Sequence, residues 1–98
     1  MTVTVGVLAL LQAKPEKAAE LAGLLVRARE LALVEQQTVS WYAFKADEVT
    51  YGIFDTFESE AGRQAHLGGE IAKALLSVAP ELLAKDPEIR PIDLLAVK

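Results

Sequence analysis

The sequence has no cysteine among its 98 residues, and this absence excludes disulfide bonds, thiolate catalysis and cysteine-ligated metal sites. Its longest apolar runs extend over about nine residues, well short of the roughly 20 that a membrane-spanning helix requires. Ten lysine and arginine residues are scattered along a chain of net charge −4, so no basic surface for nucleic acid is indicated. We therefore predict a cytoplasmic protein that binds neither nucleic acid nor membrane.

Several familiar catalytic motifs are missing as well. Gly68-Gly69 stands alone behind a predicted helix, whereas a glycine-rich phosphate loop follows a strand. His66 is the only histidine, so a histidine-rich metal site cannot form, and neither Ser40 nor Ser77 lies in a nucleophile-elbow motif. We expect neither a metal nor any other bound cofactor.

Apolar residues are abundant in this short chain. A length of 98 residues predicts one domain, which spans residues 1–98. Hydrophobic residues make up 52% of the sequence, which is more apolar surface than so small a chain readily buries alone. The composition therefore favours an oligomer.

The hydrophobic periodicity predicts the element order βαββαβ. Strands are expected at residues 2–12, 39–45, 49–57 and 89–97, and helices at about 15–32, 59–67 and 70–78, with Pro80 interrupting the last. This order is typical of an α+β, ferredoxin-like fold, in which an antiparallel four-stranded sheet carries its helices on one face. The strands are nevertheless apolar on both faces. The uncovered face therefore predicts a homodimer in which two sheets face each other, a dimeric α+β barrel.

Asp55 and His66 form the chemically suggestive pair in the sequence. They flank the corner where the third strand runs into a helix, for which Ser59 is a good N-cap residue. The ordinary pKa of histidine lies near neutrality, so His66 can serve as a general base, with Asp55 orienting it or binding a substrate hydroxyl. Two alternatives stay open: His66 is a buried structural residue, and Asp55 only pairs with the adjacent helix N-terminus.

Aromatic side chains concentrate on the central hairpin. The six rings are those of Trp41, Tyr42, Phe44, Tyr51, Phe54 and Phe57. We expect them to wall an apolar cavity between sheet and helices that suits a flat aromatic ligand, with Trp41, Tyr42, Tyr51 and Phe57 as substrate-binding residues. The alternative is that the rings only fill the core. The turn at 46–48 lacks a signal that sets the register, so the face on which Trp41 lies is left open.

The stretch GIFDTFESEAGRQAHL at 52–67, followed by GGEIAKALL, resembles the antibiotic biosynthesis monooxygenase family. The family pattern is an acidic residue two positions before an aromatic, then Ser-Glu-x-Ala, then His-Leu. Here the pattern falls on Asp55, Phe57, 59–61 and 66–67. The resemblance covers most of the chain and implies a small, dimeric α+β barrel protein of the quinol monooxygenase type.

Members of that family oxygenate phenolic or quinol-like polycyclic compounds without metal, flavin or haem. The resemblance therefore implies a homodimer that binds a small aromatic substrate, which gives an electron to dioxygen once it is deprotonated. Many members carry a second histidine where this chain has Ile71, and a tryptophan where it has Phe57. A related haem-degrading branch uses an asparagine, and this chain contains none. The alternative function is a non-catalytic dimeric module that binds a small ligand or serves a partner enzyme.

Overall fold

The computed structural model describes residues 3–98, so the predicted start of the first strand at Thr2 lies outside the described residues. The elements are β1 (Val5–Gln12), a 3-10 turn (Pro15–Lys17), α1 (Ala18–Leu33), β2 (Thr38–Lys45), β3 (Thr50–Phe57), α2 (Glu60–Leu67), α3 (Glu70–Leu82) and β4 (Glu88–Asp93). The strands pair antiparallel in the order β2-β3-β1-β4. The predicted ferredoxin-like α+β fold is confirmed. Among residues 3–98, none of the helices combines the length and apolarity needed to cross a membrane.

The central strands β1 and β3 carry the core on the face that α1, α2 and α3 cover. Alternate residues of both strands point toward the helices, as the period of two in a strand requires. The buried residues of this core include Ala9, Leu11, Tyr51 and Ile53 from the sheet, Leu21 and Leu25 from α1, and Ile71 and Leu75 from α3. The buried stripe of α1, formed by Leu21, Leu25, Ala28 and Ala32, therefore packs on the sheet.

The register of the central hairpin determines which aromatic rings share a face. Trp41 lies directly opposite Asp55, and Tyr42 lies opposite Phe54. The ring of Trp41 is therefore on the helix side, while Tyr42 is on the opposite side. The expectation that all six rings wall one cavity is wrong, because neighbouring residues of a strand alternate between its faces.

Two other boundaries differ from those expected. Pro80 does not interrupt α3 but lies inside its last turns, and the helix continues to Leu82. The last strand ends at Asp93 rather than Val97. Asp93 pairs with Val5, the first residue of β1, and one further backbone hydrogen bond joins the Leu94 N–H to the Thr4 carbonyl at 2.9 Å. As Pro91 indicated, β4 lies at a sheet edge.

The sheet face away from the helices is apolar at its centre, and Glu88 and Arg90 lie at its β4 edge. It carries Leu8, Leu10, Tyr42, Phe44, Phe54 and Ile92, as the strand registers show. The ring of Phe44 lies over Gly52, where a Cβ atom would collide with it and would come within 2.8 Å of the Ala9 carbonyl oxygen. A glycine is therefore needed for the ring to lie flat on the sheet. We name this surface the open sheet face.

We predict opposite effects for two glycine-to-alanine substitutions. Gly52→Ala should lower the free energy of unfolding by about 1–3 kcal/mol, since the new methyl group overpacks against Phe44 and the Ala9 backbone. In Gly23→Ala, within α1, the new methyl group would meet only the movable Arg27 guanidinium at 3.3 Å. This substitution should raise the free energy of unfolding by about 0.5–1 kcal/mol. Urea unfolding of both variants measures the difference. Equal stability of the two variants would contradict the packing of Phe44 on Gly52.

Candidate active site

The corner between β3 and α2 positions the histidine. The hydroxyl of Ser59 accepts a hydrogen bond from the Gly62 N–H at 3.2 Å, so Ser59 is the N-cap of α2 as predicted. Capping fixes where the helix begins, and His66 then falls in its last turn on the face that is buried against the sheet. Local sequence therefore decides the direction of the imidazole.

The imidazole of His66 lies between two carboxylates. Its Nε2 atom is 2.7 Å from Oδ2 of Asp55, and its Nδ1 atom is 2.7 Å from Oε1 of Glu35. The exposed side-chain fractions are 1% for Asp55, 8% for His66 and 18% for Glu35. The ring of Phe57 packs beside the imidazole with centroids 5.3 Å apart. The structure thus brings the predicted pair together, and we call the three residues the Asp55–His66–Glu35 array.

Glu35 is the site residue that the sequence reasoning missed. It follows α1 and lies 31 positions before His66, so no local spacing links the two. Thr38 donates a hydrogen bond from its hydroxyl to the same Glu35 oxygen, at 2.7 Å. The spacing of three residues between a glutamate and a threonine was the only local signal available. It indicates an ordered loop but not a partner for the histidine.

The charges of the array depend on burial and on these contacts. Burial lowers the pKa of His66, but the contacts with Asp55 and then with Glu35 outweigh it, so the pKa is raised above 6.5. Burial also raises the pKa of Asp55 above 3.8, against the opposing effect of His66. A neutral imidazole has one N–H and cannot donate to two carboxylates. The geometry therefore favours an imidazolium with both nitrogens protonated.

The contact of Asp55 with His66 is a close ion pair rather than a well-aligned hydrogen bond. Within residues 3–98, neither oxygen of the Asp55 carboxylate has a donor in good hydrogen-bond geometry, although both atoms are buried. The two carboxylates approach opposite sides of one ring and do not converge on a common point. In the described part of the chain, no group of three or more such side chains is arranged to hold a metal ion.

Two cavities border the array. The larger, about 530 Å³, is a groove between α1 and the edge strand β2, which we call the α1–β2 groove. Its walls are mainly apolar and include Leu25, Val26, Leu33 and Trp41. The smaller, about 350 Å³, reaches His66 itself, and we call it the His66 cavity. Glu35 and Thr38 line both, so the larger groove meets the array through Glu35 and not through the imidazole.

The four predicted substrate-binding residues lie in different environments. Trp41 lines the α1–β2 groove, and its Nε1 atom is buried with no acceptor among residues 3–98. Tyr42 also borders this groove, although it is largely exposed on the opposite sheet face. Tyr51 is buried and lines a smaller cavity of about 160 Å³ next to α1. Phe57 is fully buried beneath His66 and supports the imidazole.

Arg63 of α2 is buried. Its Nη1 atom donates to the backbone carbonyls of Gly6 and Ile92, each at 3.2 Å. Its Nε atom donates to Glu60 at 3.1 Å, and the two side chains form an ion pair. Arg63 therefore fastens α2 to β1 and to the end of β4. These contacts stabilise the position of α2, the helix that carries His66.

Comparison with solved structures gives close matches over nearly the whole chain. The protein NE2512 of Nitrosomonas europaea, of unknown function, is 45% identical with a TM-score of 0.96, covering 98% of this chain and 93% of that chain. A Caulobacter crescentus protein, provisionally described as an antibiotic biosynthesis monooxygenase, is 24% identical with a TM-score of 0.78, covering 96% and 92%. A Nitrosomonas europaea protein with the same provisional description is 10% identical with a TM-score of 0.82, covering 94% and 90%.

The chain belongs to the same family as NE2512, and its fold is that of the antibiotic biosynthesis monooxygenases. The resemblance seen in the sequence is thereby confirmed. No family model matches the chain, and no curated protein sequence matches it.

The array predicts a histidine that titrates above its ordinary pKa. In an NMR titration, the midpoint for the His66 ring should lie above 6.5, and Asp55→Asn should lower it more than Glu35→Gln, since Asp55 contributes most to the increase. The stabilisation due to the raised pKa is complete below about 6.5 and is lost as the pH rises through the folded-state value. An unchanged midpoint in Asp55→Asn would show that the contact at 2.7 Å does not hold the proton.

Proposed function

We propose that this protein is a cofactor-independent monooxygenase that oxidises a phenolic, quinol or polycyclic aromatic substrate with dioxygen. The observation that carries the proposal is the meeting of a buried ionisable array with an apolar groove, through Glu35. A groove of this volume, with apolar walls and few polar groups, suits a flat ring system. The fold shared with the antibiotic biosynthesis monooxygenases supports the same reaction class.

The protein has three roles in the proposed reaction. It must bind an apolar ring, accept one proton and stabilise the resulting anion. The anion then gives one electron to dioxygen, and the substrate radical and superoxide combine to a peroxide. Once protonated, the peroxide loses water and leaves a ketone or quinone, so one oxygen atom enters the product and the other leaves as water.

His66 supplies the charge that favours an anionic substrate. The indole ring of Trp41 forms part of the apolar wall of the α1–β2 groove, and its buried Nε1 atom has no acceptor in the described part of the chain. The imidazolium of His66 places positive charge behind Glu35, in a site of reduced water access. Tyr42 borders the groove and Tyr51 an adjacent cavity, and both complete the apolar surroundings.

A second function, a non-catalytic dimeric module that binds a small ligand or serves a partner enzyme, is favoured by one observation. Both nitrogens of His66 are occupied by carboxylates from other elements, Asp55 in β3 and Glu35 after α1. A histidine held in this way also suits a purely structural role.

Oxygen consumption distinguishes the two functions. The purified protein, treated with a chelator and given no flavin, should oxidise at least one member of a panel of anthrones and reduced quinones. His66→Ala should lower this rate by about 10²-fold, because Glu35 loses the partner that holds its carboxylate in place. Asp55→Asn should lower it less, because Asp55 acts through the histidine.

Circular dichroism of each variant verifies that it is folded. A wild-type protein that oxidises no member of the panel would favour the ligand-binding module. Equal rates for His66→Ala and the wild type would show that His66 has no part in the reaction.

We also propose that the open sheet face is the interface of a homodimer. The centre of the face is apolar, and the core residues of α1 and α3 pack on the other face of the sheet. A second copy of the same sheet supplies a complementary apolar surface with two-fold symmetry.

Sedimentation tests this interface. The wild type should sediment at micromolar concentration with twice the mass of the 10.6 kDa chain. Leu8→Glu, in the centre of the face, should give a monomer or an aggregate, because it buries a charge in the interface. Leu76→Glu, at an exposed leucine of α3, is the matched control and should stay dimeric. A monomeric wild type would contradict the proposal.

A further inference from the structure

Access to the cavities separates the three members of the array. Asp55 is sealed at 1% exposure and His66 is buried, whereas Glu35 lines both the α1–β2 groove and the His66 cavity. A group that takes a proton must come within hydrogen-bond distance of the substrate atom that releases it. Among the three residues, the geometry therefore gives Glu35 the best access to a ligand in the larger groove.

The hydrogen bonds of the array also favour Glu35 as the group that can accept a proton. An imidazolium has two N–H donors and no acceptor, and both nitrogens of His66 already face carboxylates. Glu35 keeps a free acceptor: its Oε1 atom receives both Thr38 and His66, while Oε2 receives no hydrogen bond from residues 3–98. Oε2 lies next to Gly69, on the side of Glu35 that faces the His66 cavity, whose wall at Glu35 and Thr38 is shared with the α1–β2 groove. The arrangement has room for one more proton at Glu35 and none at His66.

We propose that Glu35 is the residue that takes the proton from the substrate, and that His66, Asp55 and Thr38 hold Glu35 in position. The proposal deepens the proposed oxygenase function and rests on it. In the sequence, His66 was the candidate for this role. The structure reassigns His66 as a positioning residue, because its ring contacts Glu35 and not the larger groove.

The proton balance of the reaction closes with this assignment. Two carboxylates and one imidazolium carry a net charge of −1. When the substrate O–H or C–H bond breaks, an O–H bond forms on Glu35, the array becomes neutral and the substrate becomes the anion. The anion combines with dioxygen, the peroxide takes the proton back from Glu35, and loss of water completes the turnover. The ion pair between Asp55 and His66 persists throughout.

Thr38 is the second positioning residue. Its hydroxyl donates to Oε1 of Glu35 at 2.7 Å and lies in the wall shared by the two cavities. This bond and the one from His66 occupy the same oxygen, so they leave Oε2 as the reactive atom. The conservative variant Thr38→Ser should keep the rate, and Thr38→Val should lower it while leaving the affinity for the ring unchanged.

The test uses the full chain and two readouts. The first is kcat on any substrate that the wild type oxidises. The second is the absorbance of a nitrophenol that is not oxidised, at a pH below its own pKa in solution, where ionisation on binding reports proton transfer to the protein. Glu35→Gln is the main variant. Glu70→Gln, an exposed carboxylate that lines the His66 cavity and pairs with Lys73, is the matched control.

We expect Glu35→Gln to lower kcat by about 10²–10⁴-fold and to bind the nitrophenol without ionising it, whereas Glu70→Gln behaves like the wild type. Glu35→Asp keeps the carboxylate on a shorter side chain, should give intermediate values and serves if Glu35→Gln does not fold. Ionisation of the probe by Glu35→Gln at the wild-type level would overturn the assignment. So would a wild type that does not ionise it.

The two proposals fail in different ways. If the wild type oxidises nothing but ionises the probe through Glu35, the proton acceptor stands and the oxygenase function does not. If oxidation proceeds equally well in Glu35→Gln, the oxygenase function stands and the assignment of Glu35 is wrong.

Discussion

A buried imidazole between two carboxylates is the interaction on which the site depends. Removing three ionisable groups from water is costly, and they are stable together only because each charge has a partner. The contacts of His66 join β3 through Asp55, α2 through its own backbone, and the segment after α1 through Glu35. Deleting one member leaves a buried charge unpaired, so the three elements are held in one arrangement. Through Glu35, the same charges reach the wall of a mainly apolar groove.

The two faces of the sheet have different roles because successive side chains of a strand point to opposite faces. The face under the helices holds the core, Asp55 and Trp41, and the opposite face holds Tyr42, Phe44 and Phe54. The hairpin register therefore divides the aromatic rings between the groove and the open sheet face. A shift of one residue between β2 and β3 would move Trp41 away from Asp55 and out of the groove. Pairing of the two strands thus sets both the site and the apolar surface opposite it.

Local patterns predicted the fold and half of the site. The element order, the cap at Ser59 and the pairing of Asp55 with His66 all depend on short spacings around one corner. Glu35 was not predicted as a site residue, because its contact with His66 spans 31 residues of chain and leaves no periodic signal. The burial of Arg63 was not predicted for a similar reason, since its acceptors are backbone carbonyls of strands distant in the sequence. Tertiary contacts of single side chains are what a pattern of hydrophobic spacing does not encode.

The central claim is that a substrate in the α1–β2 groove meets the array at Glu35. A crystal structure with a bound phenol that cannot be oxidised tests it most directly. We expect a ring against Trp41, with its hydroxyl within about 2.5–3.2 Å of the Glu35 carboxylate. A ring bound on the open sheet face, or a hydroxyl in the groove that points away from Glu35, would contradict it.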